Sequence, residues 1–283
     1  MSAINDLDSC TLITGRAAPA SYFRFEERDT FDPEGVVDVL RGKYLGIVFR
    51  DAIGHDSSNS LLQAFWSNPA TKHRIDAPSH YLGTYHFNKS ADAYLSETAE
   101  VAAAVEGFVR MDGSPWVWFH DTVGRRLRGE GASMRIAEMN GRKACPALIR
   151  SWHAEGEFAL YPHEDTSQCQ DPRQAGFEIQ RVVEHDVCAV NMCLANGEGG
   201  RLIIWNVRPD RATRERLDVL YTGFSYPPSG LADFSDLRLS VQEGDIYVFN
   251  GAYVHAVEAN QATRANMSFF MGFLDKKTVV TWT

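Results

Sequence analysis

The chain has 283 residues, of which 44% are hydrophobic and 23% are charged, an ordinary globular composition that excludes intrinsic disorder. Its net charge of -9 argues against nucleic acids and anionic membranes as general partners, because binding to phosphate groups needs a basic surface. No apolar run is long enough to span a bilayer, and no signal peptide is evident. The five cysteines form no CxxC pair, so we expect reduced thiols in a cytoplasmic protein.

The first 144 residues mix loops with helical patterns. Asp32 followed by Pro33 predicts the start of a helix that runs to Leu40. Residues 44–49 form a short apolar run that predicts a strand, and Ala91–Val109 has apolar residues at helical spacing. No repeat or linker divides the chain, so we expect a single domain of residues 1–283 in which residues 1–144 pack on a core of residues 145–283.

From residue 145 onward, short apolar runs alternate with turns rich in glycine, proline and asparagine. This spacing is typical of a β-sandwich, a jelly roll or a barrel. A charged, helical stretch over residues 209–221 is interpreted as an insertion between strands. The predicted strands cover residues 147–152, 158–161, 177–183, 187–194, 201–207, 237–241, 246–249 and 266–274.

A candidate metal site lies at the end of the second of these strands. His163 and Asp165 are two residues apart, so both point to the same side of an extended chain, and His255 lies far downstream. Two histidines and one carboxylate form the facial triad of non-haem Fe(II) enzymes, which leaves positions open for other ligands. About one His-x-acid pair is expected by chance, and residues 153–155 also fit. We favour His163 because it closes a strand and opens a loop.

A candidate anion site follows His255. Arg264, Asn266 and Ser268 share one face of the predicted last strand. A guanidinium with small polar neighbours inside a barrel suits the far carboxylate of a dicarboxylate, because it provides a charged, bidentate anchor.

The motifs follow one another along the chain: His163 and Asp165, the strand and turn over residues 244–251, His255, and then Arg264, Asn266 and Ser268. In this order they resemble the motifs of the Fe(II)/2-oxoglutarate-dependent oxygenases. The resemblance covers residues 145–275 and is nearest to bacterial enzymes that hydroxylate free or N-acylated amino acids and to related small-molecule halogenases. It implies a mainly β protein with flanking helices: a double-stranded β-helix (jelly roll, cupin-like) core with an N-terminal α/β segment.

The same resemblance implies that His163, Asp165 and His255 hold iron and that Arg264 anchors 2-oxoglutarate. These oxygenases often have Ser or Thr two residues after the arginine, and here Asn266 stands there, so Asn266 and Ser268 are both candidate helpers. The halogenases lack the carboxylate that Asp165 supplies, so we expect hydroxylation.

Further residues are weaker candidates. Tyr161 shares a face with His163 and is a candidate for a hydrogen bond to the cosubstrate, although a structural tyrosine is an equal alternative. Asn191, Trp205 and, from the N-terminal segment, His86 are candidate substrate contacts.

We therefore expect an Fe(II)/2-oxoglutarate-dependent dioxygenase that hydroxylates an unactivated C–H bond of a small polar substrate, an amino acid or amino-acid derivative, and releases succinate and CO₂. Desaturation, cyclisation or epimerisation with the same cofactors is one alternative. A non-catalytic jelly-roll protein that binds a small ligand is another. The expected partners are the small-molecule substrate and O₂, without nucleic acid or membrane, and a homodimer is left open.

Overall fold

The structure is a computed structural model that describes residues 11–74, 79–152 and 156–283. Within these ranges the α-helices are α1 (Pro33–Leu40), α2 (His55–Ser67), α3 (Ala91–Val109), α4 (Pro115–Gly129), α5 (Ile179–Val182) and α6 (Arg211–Arg216). The strands before the predicted core are β1 (Gly15–Arg16), β2 (Phe25–Arg28), β3 (Gly46–Phe49), β4 (Lys72–His73), β5 (Ser79–Leu82), β6 (Ser133–Ile136), β7 (Glu138–Met139) and β8 (Arg142–Lys143). The later strands are β9 (Leu148–Trp152), β10 (Phe158–His163), β11 (Cys188–Ala195), β12 (Leu202–Trp205), β13 (Arg208–Pro209), β14 (Asp236–Leu239), β15 (Ile246–Asn250), β16 (His255–Glu258), β17 (Arg264–Asp275) and β18 (Thr278–Trp282).

Two sheets form the core. The larger has the strand order β2-β3-β15-β11-β17-β9-β5-β4. Strand β18 also belongs to it and pairs with β17 on one side and with β6 on the other. The smaller has the order β10-β16-β12-β14. Antiparallel strands β9, β17, β11 and β15 thus face a second antiparallel set, which is the predicted jelly roll.

Strand β11, in the centre of the larger sheet, shows why the two sheets enclose a cavity. Val190 and Met192 are fully buried and join the core beneath the helices. Ala189 and Asn191 point the other way and line the space between the sheets. Because successive residues of a strand point to opposite sides, one face of β11 packs into the core and the other faces the cavity.

The N-terminal segment extends the same sheet at both edges. β3 pairs with β15, and β5 pairs with β9. Helix α1 begins as predicted, because the Asp32 side chain accepts a hydrogen bond from the Glu34 backbone N–H at 2.9 Å. Helix α3 has the predicted bounds. Helices α2 and α4 were not predicted.

One predicted strand is wrong. Residues 177–183 contain helix α5 instead, in which Ile179 and Val182 are both buried. Apolar residues spaced two and three apart fit either one helical turn or a strand, and a run this short does not distinguish them. The predicted helical stretch at 209–221 contains only the shorter helix α6, which begins after Asp210.

Cys145, Cys169, Cys188 and Cys193 are buried free thiols, while Cys10 lies outside the described residues. In the ranges that the structure describes, no helix has both the length and the apolarity needed to cross a membrane.

Candidate metal centre and active site

Three predicted ligands meet where two strands of the smaller sheet pair. His163 ends β10 and His255 begins β16, and the two residues are cross-strand partners whose ring centroids lie 4.2 Å apart. Asp165 follows in the loop after β10. One potential ligand atom from each of the three residues lies within 4.8 Å of the other two.

Backbone hydrogen bonds set which nitrogen of each histidine is free. The Nδ1 atom of His163 is 2.8 Å from the carbonyl oxygen of Tyr161, and that of His255 is 2.9 Å from the carbonyl oxygen of Tyr253. A carbonyl oxygen only accepts hydrogen bonds, so each Nδ1 carries the proton. Both Nε2 atoms then keep an unprotonated lone pair, as metal-binding histidines require.

The carboxylate of Asp165 lies beside these nitrogens. Its Oδ1 accepts a hydrogen bond from Gln168 Nε2 at 3.1 Å. Its Oδ2 is buried, lies 3.4 Å from His255 Nε2 and has no hydrogen-bond donor within the described residues. Such an orphaned oxygen next to two lone pairs fits a divalent cation such as Fe(II).

Burial shifts the protonation of all three side chains toward their neutral forms. It raises the pKa of Asp165 well above its usual value and lowers the pKa of His255 to about 4. Burial, assisted by the nearby His255, also lowers the pKa of His163. Neutral histidines cannot compensate the Asp165 charge, so the pocket suits a cation that neutralises the carboxylate and accepts the lone pairs.

The loop after β10 holds Asp165 in place through its backbone. The Asp165 N–H donates to the Gly251 carbonyl at 2.8 Å, and the Glu164 N–H donates to the Gly223 carbonyl at 3.0 Å. The buried Glu164 carboxylate then turns back and accepts a hydrogen bond from the Thr166 N–H at 2.7 Å. The position of Asp165 therefore depends on a closed local network.

Gly251 leaves the space that the carboxylate occupies. A Cβ atom at this position would lie 2.3 Å from Asp165 Oδ2, closer than any van der Waals contact allows. The glycine is needed here because of this close approach.

The metal site opens into a cavity of about 350 Å³ between the sheets, at the small end of the range for ligand sites. Most of its wall is apolar: Phe87, Leu148, Phe224, Phe249, Val257 and Phe270 are among the lining residues. The polar lining residues away from the triad include Arg74, Tyr85, Arg150, Asn191, Tyr247, Asn266 and Ser268.

Arg264 lies behind this wall. It is fully buried, donates to the Gly200 carbonyl and donates from Nη2 to the Tyr247 hydroxyl at 2.8 Å. Its Nε has no hydrogen-bond partner, and no described carboxylate pairs with it. Arg264 does not line the cavity itself, but its partner Tyr247 does.

Tyr247 is a site residue that the sequence reasoning missed. Its hydroxyl oxygen receives the Arg264 bond and another from Asn266 Nδ2 at 3.0 Å, so its own proton is directed elsewhere. Burial raises the pKa of Tyr247, which keeps this proton in place. The alternation in β15 could have identified it, because Tyr247 and Phe249 share the inner face.

Two of the remaining candidates line the cavity wall. Asn191 lies on β11, and Ser268 donates to the Leu148 carbonyl at 3.3 Å. Tyr161 is at the mouth, 46% exposed, with its carbonyl bonded to His163.

The other two candidates do not line the cavity. Trp205 is buried in a separate cluster on the far side of the smaller sheet. His86 is fully buried, with Nδ1 3.1 Å from Gln174 Oε1 and Nε2 accepting from Trp282 Nε1 at 3.3 Å, so both ring nitrogens are engaged. Its neighbours Tyr85 and Phe87 line the cavity instead. The competing motif at 153–155 lies outside the described residues.

Substitution of either histidine should remove the metal. In His163→Ala or His255→Ala only two ligands remain, and they compete poorly with water for Fe(II). His55→Ala, which removes an exposed histidine bonded to Glu243, is the matched control and should bind one metal ion as the wild type does. Metal content after loading measures this. Full occupancy in both ligand variants would contradict the assignment.

Gly251→Ala should weaken metal binding without unfolding the protein, because the added methyl displaces Asp165 Oδ2. Disturbing the support of a ligand typically costs about 10- to 100-fold in metal affinity. Gly107→Ala, where a Cβ would meet nothing within 4 Å, is the control. Titration with Fe(II) or Ni(II) gives the affinities, and equal values for the two variants would show that Gly251 does not position Asp165.

Comparison with known proteins agrees with this architecture. No protein-family model matches the chain. The L-isoleucine 3(1)-dioxygenase of Pantoea ananatis (strain AJ13355) is 31% identical over 207 residues, which cover 71% of this chain and 69% of that enzyme. An N-substituted L-amino acid dioxygenase from Burkholderia ambifaria AMMD shares the fold, with a TM-score of 0.59 and 16% identity over 89% of this chain and 91% of the other. Its complex with alpha-KG superposes with a TM-score of 0.56 over the same shares of both chains. The chain therefore belongs to the Fe(II)/2-oxoglutarate-dependent oxygenases, the family of its isoleucine dioxygenase relative.

Proposed function

We propose that this protein hydroxylates an unactivated C–H bond of an amino acid or a close derivative of one. The observation that carries the proposal is a His-Asp-His ligand set that opens into a small, mainly apolar cavity. The likeness to an isoleucine dioxygenase supports an amino acid as substrate. Succinate and CO₂ are the expected coproducts.

The metal ligands have distinct tasks in this proposal. His163 and His255 each donate a lone pair from Nε2, because their Nδ1 protons are held by backbone carbonyls. Asp165 supplies the negative charge that balances the cation. When bound, Fe(II) and 2-oxoglutarate supply the oxidising power for reaction with O₂.

Arg264 and Tyr247 hold the far carboxylate of 2-oxoglutarate. The buried guanidinium provides the positive charge, and the Tyr247 hydroxyl, bonded to it, presents a proton to the cavity. Asn266 supports the hydroxyl from the neighbouring strand. A dry, charged anchor of this kind binds an anion more strongly than an exposed one.

The apolar wall protects the reaction and receives the substrate. Phe87 and Phe224 lie with their ring centroids 6.1 Å apart near His163, and Phe270 lines the wall on β17. Such side chains exclude water from the metal and suit the aliphatic part of an amino acid. We place the reaction in the cytoplasm, since the described cysteines are free thiols.

The direct test is a substrate screen with Fe(II), 2-oxoglutarate and O₂. L-Isoleucine, other aliphatic L-amino acids and their N-acyl derivatives should be compared by succinate release and by product mass. Gain of one oxygen atom supports hydroxylation, whereas loss of two hydrogens indicates desaturation or cyclisation and an unchanged mass with inverted configuration indicates epimerisation. No amino-acid-dependent succinate from metal-loaded protein would overturn the proposal and favour a binding protein.

Substitutions in the anchor should weaken 2-oxoglutarate binding to different degrees. Arg264→Met removes the charge, which costs on the order of 2–5 kcal/mol, or a rise of about 30-fold or more in Kd. Tyr247→Phe removes one charge-assisted hydrogen bond and should raise Kd about 10-fold. Tyr221→Phe, at a 41% exposed tyrosine, is the control. Calorimetry with the Ni(II)-loaded protein measures these values, and an unchanged Kd in Arg264→Met would refute the anchor.

A further inference from the structure

The phenyl ring of Phe224 lies beside the metal site. Phe224 forms an antiparallel β-bridge with His163, which pairs with His255 on its other side. Directly opposed residues of antiparallel strands share a face, so the Phe224 ring points to the same side as the His163 imidazole. The centroids of these two rings lie 6.1 Å apart, and Phe224 lines the cavity while 40% of it remains exposed. Phe224 is therefore at the cavity mouth, next to a metal ligand.

Backbone hydrogen bonds on both sides of Phe224 hold it against β10. The Glu164 N–H donates to the Gly223 carbonyl at 3.0 Å, and the Tyr226 N–H donates to the Pro162 carbonyl at 2.8 Å. The approach at Gly223 is so close that a Cβ atom there would lie 2.2 Å from the Glu164 carbonyl oxygen, and its φ angle is +63°. A glycine is needed at this position, and it lets the backbone place the neighbouring phenyl ring.

A second ring, from the N-terminal segment, meets Phe224 across the mouth. The centroids of Phe87 and Phe224 lie 6.1 Å apart in an edge-to-face arrangement, and Phe87 also lines the cavity. Centroid separations of about 4.5–7 Å are contact distances for ring pairs. No ring of a ligand therefore fits between Phe224 and either Phe87 or His163, and the three rings form a continuous wall beside the metal site.

This wall is separate from the cosubstrate anchor. Arg264 and Phe270 both lie on β17, six residues apart, which separates their backbones by about 20 Å at ~3.3 Å per residue. Phe270 and Phe249 pair with the same residue of β11, so they lie level with each other, and the Phe249 ring is 4.9 Å from that of His255. Tyr247 lies two residues from Phe249, on the Arg264 side of this level. The anchor therefore lies further along the larger sheet than the metal ligands, whereas the wall lies level with them.

We propose that Phe224, in contact with Phe87, is the wall against which the substrate side chain packs, so that the enzyme accepts amino acids with short aliphatic side chains and rejects aromatic ones. An apolar ring does not bind a carboxylate, and the far carboxylate of 2-oxoglutarate is anchored elsewhere, so the apolar part of the substrate is the group that fits here. The cavity of about 350 Å³ holds cosubstrate and substrate together, and a bulky side chain would overlap the Phe224 ring. This inference rests on the proposed function and specifies its substrate class.

The test changes the size of the wall in both directions. The wild type should use L-isoleucine in strong preference to L-phenylalanine. Phe224→Ala should lower kcat/KM for L-isoleucine about 10-fold or more, because contacts with the substrate side chain are lost, and should raise it for L-phenylalanine, because the space of the ring becomes free. Phe224→Trp enlarges the wall and should lower kcat/KM more for L-isoleucine than for the smaller L-valine. Tyr221→Ala, at a 41% exposed tyrosine outside the cavity on the same segment, is the matched control and should keep the wild-type preference.

Calorimetry with the Ni(II)- and 2-oxoglutarate-loaded protein provides a readout that is independent of turnover. In Phe224→Ala the Kd of L-isoleucine should rise about 10-fold, and that of L-phenylalanine should fall. The Kd of 2-oxoglutarate for the Ni(II)-loaded variant should remain within about twofold of the wild type, because Arg264 and Tyr247 are intact. A large rise in this Kd would overturn the inference and assign the ring to the cosubstrate.

The remaining outcomes separate this inference from the proposed function. Equal use of L-isoleucine and L-phenylalanine by the wild type, or an unchanged preference in both Phe224 variants, would overturn the inference while leaving hydroxylation of amino acids intact. If the wild type oxidises no amino acid, the proposed function fails, and this inference fails with it.

Discussion

The site depends on one buried carboxylate that forms no ion pair with a lysine or arginine among the described residues. Asp165 lies beside two histidines whose Nδ1 protons are committed to backbone carbonyls, so both rings are neutral and offer only lone pairs. An uncompensated carboxylate in this position is costly, and burial raises its pKa accordingly. The same arrangement is complementary to a divalent cation, which would compensate the charge of the carboxylate. The Glu164 network and the bare backbone of Gly251 hold the carboxylate where a cation can reach it.

Two arginines in and behind the cavity wall, Arg150 and Arg264, differ from surface arginines in their partners. Arg264 is fully buried and bonded to Tyr247, which gives it a fixed direction. Arg150 stacks on Trp152 and keeps its Nε without an acceptor among the described residues. The surface arginine Arg201, in contrast, pairs with Glu258.

In the larger sheet, side chains that stabilise the fold and side chains that face the ligand cavity alternate along a strand, because successive residues point to opposite faces. On β11 one set of side chains packs under the helices, and the alternate set faces the cavity. The N-terminal segment contributes to both roles. Helices α1 to α4 bury the outer face, while Tyr85 and Phe87, in the connection after β5, line the cavity.

The sequence by itself indicated a core of short strands and the candidate pair His163 and Asp165, because strand alternation and the spacing of this pair are local properties of the chain. The resemblance to the oxygenases then implied the jelly roll and a ligand set that includes His255. The sequence also put Arg264 on the same strand face as Asn266 and Ser268. Only the tertiary structure decided which polar groups reach the cavity. Alternation in β15 places Tyr247 on an inner face, but its hydrogen bonds to Arg264 and Asn266 join different strands. The closed environment of His86 likewise depends on Gln174 and Trp282, and local periodicity contains no information about such distant partners. For the same reason residues 177–183, whose apolar spacing suits a strand or a helical turn, became helix α5 when packed against β17.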